Sequence, residues 1–71
     1  MTDILIKELE KDDGTEAVRI VRRSDGVFSY QKVWRRPDGD EVGLYAGLYD
    51  SAETAEREAR DRIPWLVSQF H

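Results

Sequence analysis

A chain of 71 residues with no cysteine, one histidine and a net charge of −4 has room for one domain, burying roughly 60% of the surface its unfolded form exposes. It has neither a disulfide framework nor a thiolate metal site. No apolar run approaches the ~20 residues of a membrane span, and Met1-Thr2-Asp3 opens acidic where a secretory signal opens basic, so the expectation is a soluble, untargeted, cytoplasmic protein of marginal stability.

The acid excess argues against general attachment to DNA or anionic lipid, but the charge is segregated. Residues 17–36 carry Arg19, Arg22, Arg23, Lys32, Arg35 and Arg36 against Asp25 alone, while the segments before and after are acidic.

Ile4-Leu5-Ile6-Lys7-Glu8-Leu9 is β-prone and precedes a polar turn, Lys11 to Thr15, with Gly14 at a left-handed site. Residues 1–16 read either as an edge strand or as a frayed N-terminus. Ala17 to Arg23 alternates as a strand, and Ser24-Asp25-Gly26 comes after it with the chemistry of a three-residue hairpin loop. That loop sets Arg22 opposite Phe28, Ile20 opposite Tyr30 and Val18 opposite Lys32. A two-residue loop would slip the register by one and split the apolar set between two faces.

Phe28 to Tyr49 carries two strand patterns around Pro37-Asp38-Gly39, in which Pro presets φ and Gly closes the loop in a left-handed conformation. A three-residue loop pairs Arg36 with Asp40, Trp34 with Val42, Lys32 with Leu44, Tyr30 with Ala46 and Phe28 with Leu48. Strict alternation then collects Val18, Ile20, Phe28, Tyr30, Trp34, Val42, Leu44, Ala46 and Leu48 on one face.

Ser51 is the N-cap of a helix, with Asp50 and Glu53 as an alternative capping box. Ala52, Ala55, Ala59, Ile63, Leu66 and Phe70 recur at helical spacing, small residues first and large ones last. Acids lead and arginines come later, matching the helix dipole. Pro64 cannot donate to residue 60, so the helix 51–70 breaks or bends near Ile63. The fold expected is α+β: a three- or four-stranded antiparallel meander over 17–49, with one C-terminal helix on one face. There is no internal repeat, linker or low-complexity segment.

Chemistry is sparse. His71 is the last residue, Ser24, Ser29, Ser51 and Ser68 have no base to activate them, and Asp38, Asp40 and Glu41 sit on a solvated turn where no carboxyl pKa rises. Counting back from Gly14 or Gly39 places Leu9 and Lys11, or Trp34 and Arg36, where a calcium loop needs oxygen ligands. Gly43 and Gly47 lie within a strand, not before a phosphate-binding helix. The expectation is a non-enzymatic domain with no catalytic residue, cofactor, metal or small-molecule substrate.

The surface left for function is the sheet face away from the helix, where the assumed register gathers Arg19, Arg23, Gln31, Arg35, Tyr45 and Tyr49. Arginine and tyrosine there suit either a protein interface or phosphate pairing and base stacking. The first reading is a module binding a protein partner or itself, without a membrane role; the alternative is nucleic-acid binding. Trp34, Pro37-Asp38-Gly39 and Gly47-Leu48-Tyr49-Asp50-Ser51 running into Glu53, Ala55 and Glu56 resemble, over about residues 17–62, the arm-type DNA-binding domains of phage integrases. That resemblance implies a three-stranded sheet that reads DNA with a helix behind it.

Overall fold

The computed structural model describes residues 3–69, the Gln69 side chain excepted. Met1 and Thr2 at the start lie outside the described residues, as do Phe70, expected to end the helical stripe, and His71 at the chain end. Four strands, β1 (Ile4–Glu10), β2 (Glu16–Arg22), β3 (Phe28–Trp34) and β4 (Glu41–Tyr49), form one antiparallel sheet in the order β1-β2-β3-β4. Helices α1 (Ala52–Arg62) and α2 (Pro64–Gln69) complete the chain order. The chain is α+β, and its shortest dimension of 15 Å accommodates a sheet with a single covering layer.

Local chemistry sets the boundaries. Gly14, Gly26 and Gly39 all have positive φ, and each N–H closes a turn onto the carbonyl three residues back, Lys11, Arg23 and Arg36. Ser51 caps α1, its Oγ accepting from the Thr54 N–H at 3.2 Å. Ile63 is extended, with φ −115° and ψ 104°, so Pro64 starts a separate helix. Its missing N–H costs nothing at that first position.

β1 is a paired strand, in register with β2 at Leu9↔Val18, Glu8↔Arg19 and Lys7↔Ile20. Leu9 is buried with the core, and Lys7 Nζ reaches Glu56 of α1 at 3.1 Å. Those two anchors tie down the end. The β2–β3 register runs Arg22↔Phe28, Ile20↔Tyr30 and Val18↔Lys32, as the three-residue loop predicts. Ala55 and Ala59 are fully buried, and their small size lets α1 lie close against Val18, Ile20 and Tyr30, while Ile63 and Leu66 belong to the same core.

The β3–β4 register departs from strict alternation. Tyr30↔Ala46 and Gln31↔Tyr45 hold, but Trp34 pairs with Glu41, Val33 with Val42 and Phe28 with Tyr49. β4 therefore carries one extra residue opposite Lys32 and another opposite Ser29, two β-bulges. Gly47, at φ 74°, lies in the second. The partly covered residues of β4 are Gly43, Ala46 and Tyr49, a spacing of three where an unbulged strand has two. Val42, Leu44 and Leu48, expected in the core, are exposed. Trp34 is only partly buried; it packs over Gly43 with the Lys32 ammonium 5.3 Å from its ring centroid.

Candidate interaction surface

The face of the sheet away from α1 is built in cross-strand rows. The central row is Glu8, Arg19, Gln31 and Tyr45, one residue from each strand. Beside it lie Ala17 and Val33 on one flank, and Val21 and Ser29 on the other, all four buried. Among the described residues these four stand outside the core cluster under α1, and the long side chains of the polar row are their neighbours on the same face, where such stems can cover small residues.

Those polar ends are paired to one another. Arg19 Nε donates to Glu8 at 3.0 Å, and Arg35 donates to the same carboxylate at 2.9 Å and to Asp40. The hydrogen bond from Arg19, with the charges of both guanidiniums, holds the Glu8 carboxyl below its ordinary pKa. Tyr45 donates its hydroxyl to Asp3, which also accepts the Ser24 N–H. The Tyr45 bond is the largest cause of a lowered Asp3 pKa, and the same bond raises that of Tyr45. Arg23 lies 5.8 Å above the Tyr45 ring and 3.6 Å from Asp25. These shifts move Asp3, Glu8 and Tyr45 away from neutrality, the opposite of what a general acid or base working near pH 7 needs.

Five of the predicted residues, Arg19, Arg23, Gln31, Arg35 and Tyr45, thus come together on this face, and Tyr49 does not. The second bulge turns Tyr49 to the helix side, where its ring stacks on Tyr30 with centroids 6.4 Å apart and its hydroxyl accepts from Arg62 at 3.1 Å. Gln31 is occupied with structure: its Nε2 donates to the Gly43 carbonyl at 2.9 Å, as Ser29 Oγ does to the Gly47 carbonyl at 2.7 Å. Each bulge is thereby pinned by a side chain of β3. The basic segment is also locally compensated. Lys32 reaches Glu16 at 4.0 Å and Arg36 reaches Glu41 at 3.3 Å, so five of its six cations meet a carboxylate.

What composition and alternation missed is the rim of β4. Leu44 is 93% and Leu48 72% exposed, with Val42 and part of Tyr45 beside them. From Val42 to Tyr49 there is no charged residue. The signal was present in the doubled triplet Gly43-Leu44-Tyr45 and Gly47-Leu48-Tyr49, since each Gly-Leu marks one bulge. β1 also shows Ile4, Leu5 and Ile6 at its rim, an unbroken apolar run, with Lys7, Glu8 and Glu10 following in the same strand.

Two shallow clefts lie on the described surface, one of about 250 Å³ beside Trp65, Lys11 and Asp13, the other of about 280 Å³ between Glu53 and Arg60. Among the described residues no three potential metal ligands cluster, and no helix is long and apolar enough to cross a membrane. Comparison with protein-family models, with curated proteins and with solved structures finds no match to this chain.

Proposed function

We propose that this chain is a non-enzymatic interaction module that binds protein, either a partner or a second copy, through the uncharged rim of β4. The observation that carries the reading is the exposure of Leu44 and Leu48 on an edge strand without a charge between Val42 and Tyr49. Edge strands present unpaired backbone groups and are ordinarily guarded by charge, above all lysine. Exposed leucines next to an aromatic residue supply the apolar centre that protein interfaces use. The far face contributes a rim, its arginines engaged by Glu8, Asp25 and Asp40. Phosphate binding there would first have to displace those carboxylates.

A photoreactive side chain at Leu48, with one at the exposed Arg57 as control, tests the reading in cells making the chain. Polypeptide adducts from position 48 alone, weakened by Leu44→Lys, are the expected result. Absence of such adducts overturns it. So does low-salt binding to DNA or RNA that the triple variant Arg19→Ala, Arg23→Ala, Arg35→Ala abolishes, since salt-dependent phosphate contact is the mark of a nucleic-acid binder.

A further inference from the structure

We infer that the occupant of the β4 rim is β4 of a second copy, paired antiparallel about a two-fold axis at Ala46. The inference rests on the reading of that rim as an interaction surface and specifies its partner. A two-fold interface must be self-complementary, each residue type meeting an acceptable neighbour from the same strand run backwards. The sequence Gly43-Leu44-Tyr45-Ala46-Gly47-Leu48-Tyr49 has this property about Ala46. Leu44 falls opposite Leu48 of the second copy, Tyr45 opposite Gly47, Gly43 opposite Tyr49, and Ala46 opposite itself. The two most exposed leucines of the strand cover each other.

Charge points the same way. No like charges oppose one another in this pairing, because residues 42–49 carry none. At the other edge the outcome depends on the axis, because β1 carries charges and residues 42–49 carry none. β1 paired with itself about its middle residue sets Lys7 against Lys7, and like charges directly opposite destabilise a strand pair. Lys7 is moreover engaged by Glu56. Pairing β1 of one copy with β4 of the next is head-to-tail and builds an open fibre or a larger ring, whereas β4 with β4 closes at two.

In the closed form the sheet runs β1-β2-β3-β4 and back through the second copy, eight strands in all. An antiparallel pair within one sheet has its dyad perpendicular to the sheet. Both copies of α1 therefore lie on one side, and the two far faces join on the other. One edge strand with a short leucine rim buries an area at the low end of stable interfaces, so the dimer dissociates with a Kd on the order of micromolar.

Sedimentation equilibrium on the full chain, up to about 1 mM, covers that range. The expected result is a reversible monomer–dimer equilibrium. Two double variants then fix the register: Leu44→Lys with Leu48→Lys, and Leu44→Glu with Leu48→Glu. All four substitutions are at exposed positions, and circular dichroism verifies that each variant is folded. Each variant alone sets like charges opposite one another and loses dimerisation by at least about tenfold, whereas an equimolar mixture sets Lys against Glu and regains it.

A parent that stays monomeric throughout overturns the inference, as do species that grow beyond the dimer, variants that still dimerise alone, or a mixture that stays monomeric. A monomeric parent that nonetheless gives Leu48 adducts with other polypeptides removes only the second copy as occupant. Loss of both dimer and adducts removes the interaction reading itself.

Discussion

The two hairpins β2–β3 and β3–β4 share turn chemistry and differ in pairing from the loop onward: Arg22↔Phe28 keeps the three-residue-loop register, whereas Trp34↔Glu41 replaces the expected Trp34–Val42 pair, so Pro37-Asp38-Gly39 does not close a three-residue loop. Between β2 and β3 the alternation is unbroken, and both faces are buried: Val18, Ile20 and Tyr30 under α1, and Ala17, Val21, Ser29 and Val33 beside their own polar neighbours. Between β3 and β4 two bulges change the period of coverage from two to three, and β4 contributes no fully buried residue. The central hairpin holds the fold, while the outer one gives up core contacts and displays leucines at a rim. One sheet thus separates stability from surface by where glycine lets the chain take an extra residue.

Substitution of one large aliphatic residue on each side tests that contrast most strongly. Ile20→Ala removes a side chain that is 1% exposed at the centre of the core and is expected to cost about 2–5 kcal/mol. Leu44→Ala is expected to change stability by no more than about 0.5 kcal/mol. Thermal melts resolve the difference, since about 1 kcal/mol moves the Tm of a domain this size by 4–8 °C. Equal shifts for the two variants would place Leu44 in the core and break the comparison.

The bulges themselves are the next target. Gly47 has φ 74°, and a Cβ there would run into the Tyr49 ring, so Gly47→Ala is expected to cost roughly 1–3 kcal/mol. Gly43 has ordinary φ and only a 3.1 Å approach to the edge of Trp34, so Gly43→Ala is expected to cost less. Denaturant midpoints of the two variants rank them, and the reverse order would show that the second bulge is not held by glycine. Ser29→Ala removes the buried hydroxyl that donates to the Gly47 carbonyl, a loss of about 0.5–1.5 kcal/mol. Loss of slow amide exchange along β4, with β2 and β3 still protected, is its signature.

Acid acts on the far face with a definite sign. Asp3 and Glu8 have pKa values lowered in the folded chain by the Tyr45 hydroxyl and by Arg19, respectively. The stability they contribute is complete above the ordinary carboxylate values and is lost as pH falls through the lowered ones. Melts of the parent therefore decline below about pH 4, and the double variant Asp3→Asn, Glu8→Gln declines less; equal acid slopes would show those contacts absent in solution. The smallest effect is expected from Arg19→Ala, about 0–1 kcal/mol, because its ion pair is largely solvated.

Sequence alone determined what short-range chemistry dictates. The glycine-closed loop at Ser24-Asp25-Gly26 fixed the β2–β3 register, Ser51 began α1 by capping it, and Pro64 ended it by lacking an N–H. Those three points, with alternation in β2 and β3, sufficed for the α+β meander and for most of its core.

Whether residues 4–10 paired was a tertiary matter, decided by Leu9 reaching the core and Lys7 reaching Glu56. The bulges were decided there too, since Gly43 and Gly47 admit an extra residue but only Gln31 and Ser29, brought alongside by pairing, satisfy the carbonyls it strands. The inward turn of Tyr49 and the exposure of Leu44 and Leu48 are their consequences. The cationic character of the far face vanished for the same kind of reason. Glu8 and Asp3, distant in the chain from Arg35 and Tyr45, meet them only once β1 has docked, and no reading of local pattern counts a charge against a partner that folding alone supplies.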